Sequence, residues 1–295
     1  AVIESKNVSG IHVQSVFSED KITAQNFALK YELDRDFFNY EDFLNTIDIV
    51  YIKSSQMQRD KYIRKALEHK KHVICDVPLS LDYEECKNLI TLAKRNNLMI
   101  FENVPMLYLQ SFGQLLWMVK GNIIGDILSF KCSISKNNFN NLDKKSIMEI
   151  VYYPICAVLK LLGNKYKDCK CKTVKNDVGD FVYGAIELIY SKGTAFIETG
   201  IDVSLEDSMV IVGTEGTIHV PDDWWNLGYF KVKRRGEHKF KRYSFNFDGN
   251  GFRYIIKSLL QTINNKHEEA YQMNSAEDLQ ALYSLLDKLK EDVKN

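Results

Sequence analysis

The 295-residue sequence has no net charge, no long apolar run and few cysteines. Each of these absences excludes something. With 39 basic against 39 acidic side chains, nothing pulls the chain toward nucleic acid or an anionic membrane. Its densest basic patch is Lys231, Lys233, Arg234 and Arg235, followed by Lys239, Lys241 and Arg242. The patch alternates with aromatics, which is the pattern of a hairpin's solvated face. No run is long enough to predict a membrane-spanning helix, and no signal peptide is recognisable. The 6 cysteines are scattered, and the pair Cys169-x-Cys171 has no second pair or nearby histidines. That spacing suits neither a zinc site nor a disulfide scaffold, so the expectation is reduced, structural thiols in a cytoplasmic protein.

What is present is an ordered succession of elements. The first part alternates strand and helix patterns. "IHVQSVFS" precedes the helical "DKITAQNFALKYEL", whose apolar members are Ile22, Phe27, Leu29, Tyr31 and Leu33. "YEDFLN", "IDIVYIKS", "RDKYIRKALEHK" and "HVICDV" follow as helix, strand, helix and strand. Asp82 and Glu85 have capping-box spacing at the start of the next helix. "LMIFENV" and "QSFGQLLWMVKGN" add a strand and a helix. Apolar strands interleaved with helices predict a parallel sheet covered on both faces. After about residue 125 the rhythm changes. A strand, "DILSFKCSIS", and one long helix, "SIMEIVYYPICAVLKLLG", lead into a run of strands from "DFVYGAIELIYS" to "YFKVKRRGEHKFKRYSFNF". Two helices close the chain, the second with Ser275 and Asp278 at capping spacing. The expected organisation is α/β, a doubly wound parallel sheet over 1–124, then an α+β domain with a large, mostly antiparallel sheet over 125–295.

Several segments in this order resemble one family. "KHVICDVPLSLDYEECKNLI" is similar to a G-K-H-V-x-C-E-K-P-L-A segment and the helix after it, and "EIVYYPICAVLKLLG" to a D-I-G-x-Y-P helix. "GTEGTIHVPDDWWNLGYFKV" and "FDGNGFRYIIKSLLQTI" resemble its dihydrodiol and sugar dehydrogenase branch. The family is that of glucose–fructose oxidoreductase, inositol dehydrogenase and MocA. The resemblance covers nearly the whole chain. It implies a Rossmann-like nucleotide domain, NAD or NADP as cofactor, a sugar- or polyol-like substrate, and a homo-oligomer built through the second domain's sheet. A Rossmann domain begins with a strand and a glycine-rich turn that cradles pyrophosphate. No G-x-G-x-x-G occurs here, and "AVIESKN" resembles the tail of the helix that would follow it. The sequence thus leads one to expect about 15–20 further residues ahead of Ala1, since the strand they supply lies mid-sheet.

The resemblance also assigns site residues. Val77 stands where the family has the lysine of E-K-P, whose cation would hold the substrate hydroxyl and stabilise alkoxide character. Valine has neither charge nor donor, and its ordinary role is packing at the end of a buried strand. Asp76 replaces the glutamate, and Pro78 remains, with a cis Val77–Pro78 bond implied. Ser54 and Gln56 lie in a segment similar to Y-I-A-T/S-P-N-x-x-H and are candidates for a nicotinamide ribose, while Lys53 is a candidate substitute cation. Ser18 and Glu19 end the first strand; Glu19 would repel a 2′-phosphate and accept from a ribose hydroxyl, which favours NAD. Glu149 and Tyr153, four apart on one helix face, match the family's Asp and His/Tyr positions, the tyrosine as general acid. Val151 replaces a family glycine, and Leu107 an arginine. The departures point to impaired hydride transfer. The alternative is a non-catalytic binding or partner-subunit module.

Overall fold

A computed structural model describes residues 1–136, 146–221, 223–265 and 276–294. The chain opens with a single helical turn, α1 (Val2–Ser5), and then alternates: β1 (Ser15–Phe17), α2 (Lys21–Tyr31), β2 (Arg35–Phe37), α3 (Tyr40–Leu44), β3 (Ile49–Ile52), α4 (Gln56–Glu68), β4 (His72–Cys75), α5 (Tyr83–Arg95), β5 (Ile100–Glu102) and α6 (Gln110–Lys120). The longer elements follow: β6 (Ile127–Lys136), α7 (Ser146–Leu162), β7 (Asp168–Lys175), β8 (Phe181–Ile189), β9 (Thr194–Ile201), β10 (Met209–Gly213), β11 (Gly216–Val220), β12 (Tyr229–Arg234) and β13 (Lys241–Ser244). Helices α8 (Phe252–Asn265) and α9 (Ala276–Lys294) complete it.

Backbone proximity divides the chain into two units. Ala1–Pro105 groups with α8, and Met106–Phe247 groups with α9. Helix α6 therefore goes with the second unit, and α8 returns to the first. Sequence rhythm alone draws the boundary at 124/125, because rhythm follows chain order and not packing partners.

In the first unit every strand pairing is parallel, but the strands form two sheets, β1–β2 and β3–β4–β5. Among the described residues no strand joins β1 to β3. Side-chain caps set the helix starts. Asp20 accepts from the Ile22 and Thr23 amides, Asn39 from Glu41 and Asp42, and Asp82 from Glu85 at 2.8 Å. Val73, Ile74, Cys75, Leu67, Leu89 and Phe101 form the core around β4. Helix α2 turns differently from its expected apolar stripe. It buries Ala24 and Ala28, while Ile22 and Leu29 are 67% and 78% exposed. Two alanines one turn apart present a smooth, low face, and the helix packs through that face and not through its larger side chains.

The second unit is built on one eight-stranded sheet, ordered β13-β12-β11-β10-β6-β9-β8-β7. All its pairings are antiparallel except β6 with β9. Helices α7 and α9 pack against it. Phe130, Cys132, Ile186, Leu188, Ile197, Met209 and Ile211 lie on the buried face, while Tyr183, Phe196, Val210 and Val212 are half-buried on the other. The side chain of Trp224 is fully buried and donates to the Ser133 carbonyl at 2.7 Å, fixing the loop after β11 to β6. Two strands escape the sequence reading. β2 is three residues of mixed polarity, and β7 is an edge strand whose lysines alternate with Cys169, Cys171 and Thr173. All six cysteines are unbridged. The expected Ser275 cap lies outside the described residues.

Candidate active site

In an open parallel sheet, ligands bind beyond the carboxyl ends of the strands. In the first unit those ends carry Ser18 and Glu19 after β1, Lys53 and Ser54 after β3, Asp76 and Val77 after β4, and Asn103 after β5. Every first-unit residue singled out by sequence therefore sits on this edge or, as with Gln56, on the first turn of the helix leaving it.

Three local clusters form there. At β1, the Ser18 hydroxyl accepts from the Asp20 amide at 3.2 Å, and the exposed Glu19 carboxylate accepts from the Tyr62 hydroxyl at 2.6 Å. Burial, and then the facing Glu19, push the Tyr62 phenol up to about 12. At β4, Asp76 Oδ1 accepts from the Tyr51 hydroxyl at 2.6 Å and from Asn103 Nδ2 at 3.0 Å. Burial, reinforced by the Asp76 charge, raises the Tyr51 phenol far above its ordinary range, so it stays a proton donor to that carboxylate. Tyr51 also packs against Phe252 of α8, with ring centroids 4.8 Å apart. The three strand ends β3, β4 and β5 are thus tied through one carboxylate oxygen.

The third cluster surrounds residue 77. Val77 is 4% exposed and the Val77–Pro78 bond is cis. Behind this turn lies Arg59, 1% exposed, donating from Nη1 to the Pro78 carbonyl at 2.8 Å and from Nη2 to the Ser54 carbonyl at 3.0 Å. One guanidinium braces the end of β3 to the turn after β4, a task its planar fork suits. The Leu79 amide donates to Glu102 at 2.8 Å, and Ser80 donates to Asp60 at 3.0 Å. Burial lifts the Asp60 carboxyl above its usual range. Lys53 is exposed.

The expected second-unit pair lies on α7. Glu149 and Tyr153 are both half-buried, while Val151 and Tyr152 between them are fully covered. The i,i+4 spacing thus places them on one less-covered face of the helix. Leu107, at the position of a family arginine, is 4% exposed.

Sequence reading misses Tyr51, Tyr62, Arg59 and Asn103. Arg59 was within reach: counting along the Y-I-x-x segment puts it at the motif's histidine. Tyr51 and Asn103 lie 25 and 27 residues from Asp76, and no local pattern links them.

The residues fit a dinucleotide in part. Gln56 is 8% exposed, and neither amide atom has a partner. A buried carboxamide on the first turn of α4 thus retains a donor and an acceptor that a ribose or carboxamide can satisfy. Glu19 offers a ribose acceptor. No G-x-G-x-x-G occurs in the sequence, so the residues present offer ribose contacts and not the pyrophosphate cradle.

Comparison with known proteins agrees with this geometry. Residues 2–104 match the model of an oxidoreductase family, GFO_IDH_MocA, described as an NAD-binding Rossmann fold. A trans-1,2-dihydrobenzene-1,2-diol dehydrogenase from Xenopus tropicalis is 21% identical over 93% of this chain and 88% of its own length. The Danio rerio enzyme of that name is 24% identical over 72% of this chain and 67% of its own. Among solved structures, a 3-ketoreductase from Actinomadura kijaniata in complex with TDP-benzene and NADP superposes with a TM-score of 0.83 at 20% identity, covering 98% of this chain and 92% of that one. A UDP-N-acetylglucosamine 3-dehydrogenase from Acidithiobacillus ferrooxidans gives 0.83 at 16%, covering 99% and 94%.

Proposed function

We propose that this chain, whose residues 2–104 match the GFO_IDH_MocA oxidoreductase model, is an NAD-linked dehydrogenase scaffold for a sugar- or polyol-like ligand whose hydride transfer is attenuated. The observation that carries the proposal is Val77, a buried apolar side chain where the resemblance calls for a cation. The nicotinamide, when bound, accepts or supplies the hydride. The protein's part is to orient the ligand and to manage the hydroxyl proton as charge develops on oxygen. At residue 77 nothing can do the second. Arg59 reaches the carbonyl of the adjoining Pro78, but this nitrogen and a second are directed at backbone carbonyls.

Two further features support the reading. Glu19 at the end of β1 favours a free ribose hydroxyl over a 2′-phosphate, so NAD is preferred even though the A. kijaniata relative was solved with NADP. Glu149 and Tyr153, half-buried on one face of α7, stand where the resemblance puts a family acid and its partner. The half-buried outer face of the large sheet, with Tyr183, Phe196, Val210 and Val212, is the surface through which a homo-oligomer would form. A non-catalytic binding or partner-subunit module is the second reading, favoured by the same valine. The proposed location is the cytoplasm, in keeping with six unbridged thiols.

The test is titration of the protein with NADH and NADPH, followed by turnover on a panel of polyols and keto-sugars. Saturable NADH binding, weaker NADPH binding and little steady turnover are expected. Rapid steady hydride transfer would overturn the attenuated reading, and failure to bind either cofactor would overturn the NAD-linked one.

A further inference from the structure

Away from the strand ends, the edge strand β7 carries Cys169 and Cys171 side by side. Two residues apart on a strand, they point to the same face, and their sulfurs are 3.8 Å apart. Their register against Leu188 and Ile186 puts that face under α9, which packs on β7. Cys169 is 8% exposed and Cys171 half-buried, whereas Cys75, Cys86, Cys132 and Cys156 are at most 2% exposed. We propose that Cys169 and Cys171 form a reversible dithiol–disulfide pair, oxidised by hydroperoxides, that acts on the anchoring of α9 to the sheet edge.

The surroundings divide the labour between the two sulfurs. The hydrogen bond from Cys171 holds the Cys169 thiol below its ordinary range, and the Lys288 ammonium adds to this; Lys288 also reaches the Cys169 carbonyl at 3.4 Å. The same hydrogen bond, with burial, pushes Cys171 upward. Asp292, one turn beyond Lys288 on α9, binds Thr173 and adds negative charge on the Cys171 side. Cys169 is thus the attacking thiolate and Cys171 the resolving thiol. In the first step Cys169 sulfur attacks a peroxide oxygen, the O–O bond breaks, and an alcohol or water leaves with one proton. In the second, Cys171 sulfur attacks the resulting sulfenic acid, an S–S bond forms, and water leaves. Two thiols and one hydroperoxide give one disulfide, one alcohol and one water.

Geometry makes the product reversible. Alternate residues of an extended strand have α-carbons about 6.6 Å apart, at the upper end of the disulfide range. Closure therefore strains the strand, and strained disulfides are the easily reduced ones. An edge strand can absorb that strain, because among the described residues β7 is paired on one side only. A metal is the weaker use of the pair, since no group of three His, Cys, Asp or Glu ligands occurs among the described residues.

The experiment treats the intact protein with hydrogen peroxide, labels thiols in denaturant, and digests with a protease that spares lysine. Of the 6 cysteines, two should become unreactive, and the peptide holding residues 169–171 should be unlabelled and lighter by two hydrogens. A dithiol reductant should restore both. In Cys171→Ser the sequence should stop at a sulfenic acid on Cys169, trapped by a dimedone probe. Six reactive thiols after treatment, only higher oxygen adducts on these residues, or a covalent dimer in place of the internal bond would each overturn the proposal. The wild-type mass alone decides, whatever the variant's folding.

Discussion

Replacing Arg59 by methionine tests the brace at the strand ends. Methionine has nearly the same length and no charge, so it refills the space while removing both donors. The guanidinium itself contributes little net stability on removal, because the cost of keeping a charge out of water disappears with it. What remains is the loss to its acceptors. The Pro78 carbonyl, in a buried hydrogen bond, loses its donor at about 1–3 kcal/mol. The Ser54 carbonyl is only part-buried and regains water, so its loss is roughly 0.5 kcal/mol. The sum is about 2 kcal/mol, which for a protein of 295 residues lowers the melting temperature by roughly 3 °C. Arg59→Lys keeps a charge but reaches one carbonyl at a time, and should fall between. Differential scanning calorimetry on the three proteins provides the measurement. A methionine variant melting within about 1 °C of wild type, or a lysine variant less stable than the methionine one, would refute the brace.

Three further outcomes are expected. Val77→Lys places a cation where the resemblance calls for one, so NAD-linked turnover on the polyol panel should rise by about tenfold, equivalent to ~1.4 kcal/mol off the barrier; cofactor binding without any gain would show that residue 77 alone does not limit turnover. Trp224→Phe removes the donor to Ser133 and part of a fully buried ring, and should shift the urea midpoint by an amount equivalent to about 2 kcal/mol. Glu4 is bound through both oxygens by Arg253, and the side-chain hydrogen bond from that guanidinium is the main cause holding its carboxyl below the usual range. A depressed folded-state value means that the pair stabilises above the unfolded carboxylate value, near pH ~4.3, and is lost as pH falls through the folded one. The gap in melting temperature between wild type and Glu4→Gln should therefore be constant near neutrality and close in acid below about pH 4; a gap that persists there contradicts the ion pair.

Legibility from sequence followed the range of the interactions. Asp82 capping Glu85 is a contact across three residues and was read directly. The strand–helix alternation of the first unit and the strand run of the second were equally plain, because each strand's apolar pattern is internal to it. Helix α2 shows where this ends. Counting its larger apolar residues selects Ile22 and Leu29, yet the packed face is Ala24 and Ala28. Helix–sheet contact rewards close approach as well as apolar bulk. Strand β7 was missed because its inward residues are two cysteines and a threonine, which carry little apolar signal.

The candidate site sits at the far end of that range. Each of its clusters joins residues far apart in the chain, and what groups them is the end of a strand, not a shared motif. Position 77 could be judged without a structure, since valine has no donor in any fold. The structure adds that a buried cation does stand beside it. Arg59 spends two of its nitrogens on the carbonyls of Ser54 and Pro78, and its charge stabilises the turn's shape. A positive group near the reacting position is therefore not the same as one aimed at it. Guanidinium nitrogens fixed on backbone acceptors can polarise Asp76 and its neighbours through space, but they cannot follow a proton from a substrate hydroxyl. Holding the strand ends in register and steering charge onto a substrate oxygen are separable tasks, and the hydrogen bonds of Arg59 serve the first.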